Sequence, residues 1–203
     1  MTTTTTKGAA KPTARDRLLA AADELFYREG IRTVGIDRVI EQAGVAKASL
    51  YNAFGSKDAL VRAYLEGRHA ASAARFTRHI ERYTDPRDRL LAVFDAQAEL
   101  LSQPDFRGCA FACASAEAQP GDQVDQAAAV YRGWLRERIA ELAAEAGVPD
   151  PETLARQLQV IYDGGVLAAR MDREPGIAEA CRAAGAALVD AALRTGARDE
   201  RDA

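Results

Sequence analysis

Between positions 43 and 60 the chain reads AGVAKASLYNAFGSKDAL, and five residues of this stretch are equipped to meet a polyanion. Leu50 and Phe54 stand four apart, so on a helix they share one face and can be buried together. Lys47, Ala48, Ser49, Tyr51 and Asn52 are left for the outer surface. Lysine brings a charge for phosphate, tyrosine a phenolic hydroxyl, and asparagine a paired donor and acceptor. Alanine lets the backbone come close. A second short helical pattern precedes this one, and the two meet at a glycine. That is the layout of a helix-turn-helix whose second helix enters the major groove of double-stranded DNA. On this reading Lys47, Ala48, Ser49 and Asn52 lie nearest the base edges, and Tyr51 and Lys57 reach phosphates. Thr33 and Arg38, around the start of the preceding helix, approach the backbone.

The elements that must position these residues follow from pattern and punctuation. LLAAADELFYREG (18–30) is an amphipathic helix stopped by glycine, IDRVIEQAGVA (36–46) a second helix and turn, and KASLYNAF (47–54) a third. GSKDAL then opens a fourth with Ser56 as its N-cap. Residues 18–65 resemble the N-terminal domain of the tetracycline-repressor (TetR/AcrR) family of bacterial transcription regulators, on these four segments in this order. Three positions depart from the family pattern. Ala46 replaces a hydroxyl residue, removing a cap worth about 1 kcal/mol; Gly35 replaces another; Ala53 replaces a histidine or aromatic residue.

Beyond this stretch the sequence predicts an all-α protein of about nine helices. Alanine, leucine, glutamate and arginine dominate its 203 residues, and long β-branched alternating runs are missing. Helix four is expected to run to about residue 83. Asp85-Pro86 and Asp150-Pro151 read as cap-plus-proline starts, Pro175-Gly176 opens the last helix, and Gly147 stops the seventh. The expected division is a disordered tail over 1–13, a helix-turn-helix DNA-binding domain over 14–62, and a helical ligand-binding and dimerisation domain over 63–197. Positions 1–66 hold ten Lys/Arg against eight Asp/Glu, and the remainder 17 against 22. A mildly basic head on an acidic body suits DNA bound at one end.

The family resemblance implies a small-molecule effector between the body helices and a homodimer through the last two, and the large side chains of the body lead us to expect an apolar or aromatic effector. Phe94, Leu101, Cys109, Phe111, Cys113, Tyr131, Trp134, Tyr162 and Asp163 are the candidate pocket residues, with Met171 beside them. Ordinary core packing accounts for such residues equally well, because ligand pockets are themselves mostly apolar. For the dimer, the last helix offers an apolar stripe of Ile177, Cys181, Leu188 and Ala192 beside small residues such as Ala184 and Gly185. The same stripe would serve packing within one subunit.

Other classes of function find less support. No phosphate-cradling glycine loop and no GxSxG elbow occurs, so no catalytic residue and no cofactor is expected. Cys109 and Cys113 share a helix face, but two histidines, His69 and His79, do not complete a convergent metal set. Small buried hydrophobes is the main reading of these cysteines, with a thiol sensor as the alternative. No run reaches the roughly 20 apolar residues that cross a bilayer, and the threonine-rich start is no signal peptide, so no membrane partner and a cytoplasmic location are expected. The competing function is a helical small-molecule carrier or interaction protein with a vestigial helix-turn-helix, supported only by Ala46 and Ala53.

Overall fold

A computed structural model describes residues 11–202, with side chains to residue 195. Among the described residues the chain forms nine helices: α1 Ala14–Glu29, α2 Ile36–Ala43, α3 Lys47–Phe54, α4 Lys57–Ile80, α5 Pro86–Leu101, α6 Ala110–Glu117, α7 Gln123–Glu145, α8 Pro151–Asp172 and α9 Ile177–Asp202. The fold is all-α. Most of the expected tail lies outside the described residues, but Thr13 does not belong to it. Its hydroxyl accepts the Asp16 N–H at 3.2 Å while its own N–H donates to the Asp16 carboxylate at 3.0 Å, a reciprocal cap that starts α1. α4 stops at Ile80, short of the expected residue 83, and the Tyr83 hydroxyl instead donates to Asp95 at 2.9 Å. α9 continues past Thr195.

Local chemistry sets the other helix starts. Asp85, Asp122 and Asp150 each accept backbone N–H groups of the following turn, with Pro86 and Pro151 in first-turn positions where a missing N–H costs nothing. Ser56 Oγ accepts the Ala59 N–H at 3.1 Å before α4.

Two compact units divide between Tyr64 and Leu65. In the first, Leu18, Ala22, Leu25, Val34, Val39 and Leu50 are fully buried between α1, α2 and α3. Arg38 and Gln42 of α2 reach Glu29 and Glu24 of α1, both at 2.8 Å, and Arg17 donates to the Gly44 carbonyl at 3.2 Å. Gly44 itself is left-handed, with φ 62°, which is why the α2–α3 turn carries glycine.

In the second unit α5, α7, α8 and α9 pack around Leu90, Phe94, Leu135, Ile139, Leu158 and Val189. Two glycines set the closeness of that packing. A Cβ on Gly165 would lie 2.3 Å from Cys181 Sγ, and one on Gly185 would lie 2.3 Å from the Phe94 ring. Ion pairs fasten α9 to α5: Arg87 grips Asp190 through Nε at 2.6 Å and Nη2 at 3.0 Å, and Arg182 reaches Asp95 at 2.9 Å.

Gly185→Ala is therefore expected to destabilise by about 1–3 kcal/mol, because Phe94 must leave its place. Gly67→Ala, exposed on α4 with open space around its Cα, is expected to stabilise by up to about 1 kcal/mol through helix propensity. Urea unfolding of both variants checks the pair; equal shifts would refute the packing assignment.

Candidate nucleic-acid interface and ligand site

The recognition surface is made by what α3 hides. Leu50 is wholly buried, and Phe54 is half-buried with the Arg15 guanidinium 5.0 Å above its ring. That anchoring turns Lys47, Ala48, Tyr51 and Asn52 to solvent and leaves Ser49 half-buried among them. Lys47 pairs with Asp37 at 2.9 Å. The hydrogen bond and charge of Asp37 raise the Lys47 pKa, so the amine stays protonated. Both side chains are well exposed, so the pair is weak enough to be exchanged for phosphate.

The other predicted contacts have partners within the protein. Arg38 is held by both oxygens of Glu29, although it remains exposed. Lys57 is half-buried: its amine donates to the Ile31 carbonyl at 2.6 Å and lies 6.0 Å from the Phe26 ring centre. Lys57 thus steadies the segment that carries the exposed Thr33.

In the second unit a line of rings runs through the predicted pocket. Phe111 stacks on Tyr131 with centres 3.9 Å apart, and Tyr131 lies 5.9 Å from Trp134. Phe76 bridges Trp134 and Tyr162 at 5.5 and 5.9 Å. His69 sits 4.9 Å from Trp134, and burial lowers its pKa, which keeps it neutral near pH 7. Phe111, Tyr131, Trp134 and Tyr162 are therefore brought together. Phe94 packs against Gly185, and Leu101 is half-buried on the core. Asp163 is paired with Arg132 at 2.8 Å, and Cys113 Sγ accepts from Arg170 at 2.7 Å. Cys109 and Cys113 are unbridged, and burial pushes the Cys109 thiol pKa up. Met171 is 70% exposed and lies outside the ring cluster.

Sequence reasoning missed the polar side of this cluster. His69, Ser72, Arg75 and Phe76 all come from α4 at spacings that share one face. Ser72 and Arg75 are buried there, and Arg75 Nη2 donates to Ser72 Oγ at 3.3 Å. Arg75 Nε and the Tyr162 hydroxyl are buried without a hydrogen-bond partner. Burial raises the Tyr162 pKa to about 12, against the opposing charge of Arg75. The spacing was visible in the sequence, but an arginine is normally taken as solvated.

The outer face of α8 carries a second pattern. Val160, Leu167 and Met171 are 71, 58 and 70% exposed, in helical register with exposed Gly164. On α9, Ala180, Ala183, Ala184, Ala187 and Ala191 are exposed as well. Three of the residues expected in a dimer stripe pack wholly or partly within their own chain. Cys181 is buried with its thiol 3.8 Å from the Ile161 carbonyl, and Ile177 and Leu188 pack against the core of their own chain. The reason is register: Cys181, Gly185 and Val189 form the α9 face that meets α5 and α8, which leaves the alanines outside. Among the described residues no cluster of three or more metal-ligating side chains is arranged to hold a metal ion, and no helix is long and apolar enough to cross a membrane.

Comparison with known proteins agrees with this architecture. Residues 18–64 match the family of bacterial regulatory proteins called the tetR family. The solved structure of a TetR-family transcriptional regulator from Streptomyces coelicolor superposes with a TM-score of 0.79 at 33% identity, over 90% of this chain and 95% of that one. The transcriptional activator FasR of Mycolicibacterium smegmatis is 40% identical over 83 residues, 40% of this chain and 37% of that protein. The transcriptional repressor NemR of Escherichia coli is 32% identical over 105 residues, 51% of this chain and 53% of that protein. These two alignments span about two fifths and half of the relatives' own lengths.

The α3 start is the weak point of the interface unit. Ala46 has extended backbone angles suited to a cap but makes no side-chain bond to the helix. Ala46→Ser is expected to stabilise the first unit by about 1 kcal/mol by satisfying an open N–H of α3. Thermal unfolding followed by circular dichroism checks this, and an unchanged or lower midpoint would refute it.

Proposed function

The chain belongs to the TetR family of bacterial regulatory proteins, which are DNA-binding transcriptional regulators and not enzymes, and from that premise we propose a ligand-responsive repressor. It binds a two-fold operator as a homodimer and leaves when a small molecule enters the body. The observation that carries this reading is the exposed Lys47–Asn52 surface of a short helix whose Leu50 is fully buried. Lys47, Ala48, Ser49 and Asn52 read bases, while Tyr51, Thr33, Arg38 and Lys57 hold the backbone. Arg38 and Lys57 do so by exchanging or sharing their present partners. A regulator of this kind works where the chromosome is, in the bacterial cytoplasm.

Regulatory sign follows from where the operator lies. FasR is named an activator and NemR a repressor. A dimer covering a promoter represses by occupancy alone, so repression needs no further surface. Dimerisation is supported by the exposed Val160, Leu167 and Met171 beside the alanines of α9. Small side chains let paired helices approach closely, and an apolar face of this size is otherwise a solubility cost. Two recognition helices must then sit about 34 Å apart to reach successive major grooves. α4 is one continuous helix from Lys57 to Ile80, so a ligand held at residues 69–76 acts on the same element that begins beside α3. A ligand that prefers the mis-spaced state 100-fold supplies about 2.7 kcal/mol toward release.

Asn52→Ala is expected to relax preference at one base pair by about 1–3 kcal/mol and leave the salt slope unchanged. Lys57→Ala should weaken all sequences about equally and reduce the slope by about 0.9. Bandshifts on the upstream intergenic DNA at several salt concentrations measure both. A Lys57→Ala protein with unchanged slope would restrict that residue to its bond with Ile31.

For the assembly, Leu167→Glu should give a monomer in sedimentation and lose operator affinity, because it buries an unpaired charge in the seam. Ala184→Glu on α9 should do the same. If both variants stay dimeric, the interface lies elsewhere.

A further inference from the structure

Arg75 is only 6% exposed, and among the described residues no carboxylate pairs with it. Its single hydrogen bond, to Ser72 Oγ, is long at 3.3 Å, and its Nε has none. Arginine cannot shed its proton to escape burial, so the charge remains. Four other arginines of the body, by contrast, are paired with carboxylates. Arg87 meets Asp190, Arg89 meets Glu145, Arg132 meets Asp163 and Arg182 meets Asp95, all of them more exposed than Arg75. Next to Arg75, the buried Tyr162 hydroxyl makes no well-formed hydrogen bond, although the guanidinium acts on it through its charge and an imperfect hydrogen-bonding contact. Ser72 supplies a further buried hydroxyl, shared between Arg75 and Tyr131. One buried cation and two orphaned polar atoms therefore converge beside the ring line of Phe76, Tyr131 and Trp134. Each such group left unmet costs stability, and a ligand able to complete it recovers that cost.

We propose that Arg75 anchors a carboxylate-bearing ligand whose apolar or aromatic body lies along Phe76, Tyr131 and Trp134. The edge formed by Nε and Nη2 presents two parallel N–H donors, the fork that matches the two oxygens of a carboxylate. Tyr162 and Ser72 donate their hydroxyl protons to the same oxygens. Tyr162 is held in its protonated form by burial, so it enters as a donor. His69 is neutral and lines the ring side without competing for the anion. This deepens the ligand-responsive reading above, and rests on it for the consequence at DNA but not for the binding itself. It also narrows the ligand class from an apolar molecule to an amphipathic acid.

The test uses two matched pairs on the full chain: 2-naphthoate with 2-naphthamide, and decanoate with decanamide. Calorimetric titration measures all four, and Trp134, the only tryptophan, reports the decanoate pair by its emission. At least one acid should bind at least tenfold more tightly than its amide. Arg75→Met should abolish that preference, and Arg75→Lys should keep part of it, since the charge survives without the fork. Without ligand, Arg75→Met should melt a few degrees above the wild type, because an uncompensated charge has been removed. Acids that bind no better than amides, or that bind Arg75→Met unchanged, overturn the proposal. Should Arg75→Met not fold, Tyr162→Phe decides: the acid preference must fall at least threefold, and an unchanged preference overturns the site. An acid that binds without releasing operator DNA would remove the effector reading and keep this site. A neutral molecule that releases DNA while no acid binds would do the reverse.

Discussion

The close approach of α8 and α9 to α5 is the constraint on which the body depends. It exists because positions 165 and 185 carry no side chain, so Cys181 and the Phe94 ring can occupy the space a Cβ would take. Once that contact is made, the rotation of both helices is fixed. Cys181, Gly185 and Val189 face inward on α9, and the alanines at 180, 184, 187 and 191 must face outward. On α8 the same rotation buries Leu158, Tyr162 and Val166 and exposes Val160, Leu167 and Met171. The outer apolar face is thus a consequence of inner packing, through the 3.6-residue period. Arg87–Asp190 and Arg182–Asp95 sit at the edges of the seam, where partial exposure makes them aids to register more than sources of stability.

Much of the fold was legible because its signals are local. Aspartate followed by proline at 85–86 and 150–151 marks a helix start whatever surrounds it, and Gly30, Gly44 and Gly147 mark stops. The Leu50 anchor was legible too, since a four-residue spacing places two apolar side chains on one face regardless of what they meet. Thr13 was misread as tail because its partner is Asp16, and a capping box is plain only when both members are considered together. The body site was harder. Of the large side chains expected to converge, Phe111, Tyr131, Trp134 and Tyr162 join the ring line, while Phe94 packs against Gly185. Cys181 was placed outward because an apolar stripe does not say which neighbour it faces. Which face packs inside and which is left over is decided by tertiary contact, and no single helix contains that information.

Arg75 shows the limit most plainly. Composition treats it as one more solvated cation, and periodicity sees it only as a break in an apolar face. Its meaning comes from three helices at once: α4 supplies Arg75 and Ser72, α7 supplies Tyr131 and Trp134, and α8 supplies Tyr162. Polar groups enclosed by rings interact through a low dielectric, so each unsatisfied atom costs more than it would at the surface. The same enclosure raises the value of a partner that satisfies them.

The two units place their local reinforcement differently. α1, α5, α7 and α8 each begin with a side chain that caps the helix. α2 and α3 begin with Gly35 and Ala46, which provide no such bond. The helices that would meet DNA are held chiefly by what lies beneath them: Val39 and Leu50 in the core, Arg17 on the Gly44 carbonyl, Arg38 and Gln42 on the acids of α1. Short helices stabilised by docking and not by their own ends open locally at lower cost than the elements they dock on. A surface that must fit a DNA groove gains from that difference, because small adjustments of α3 need not disturb α1. In the body α5, α7 and α8 are capped while α6, whose N-cap position is Cys109, is not, and tight packing of these helices surrounds a polar site that is itself incomplete. Rigidity there keeps Arg75 and Tyr162 from relaxing toward water, which preserves the unmet demand that a ligand would fill.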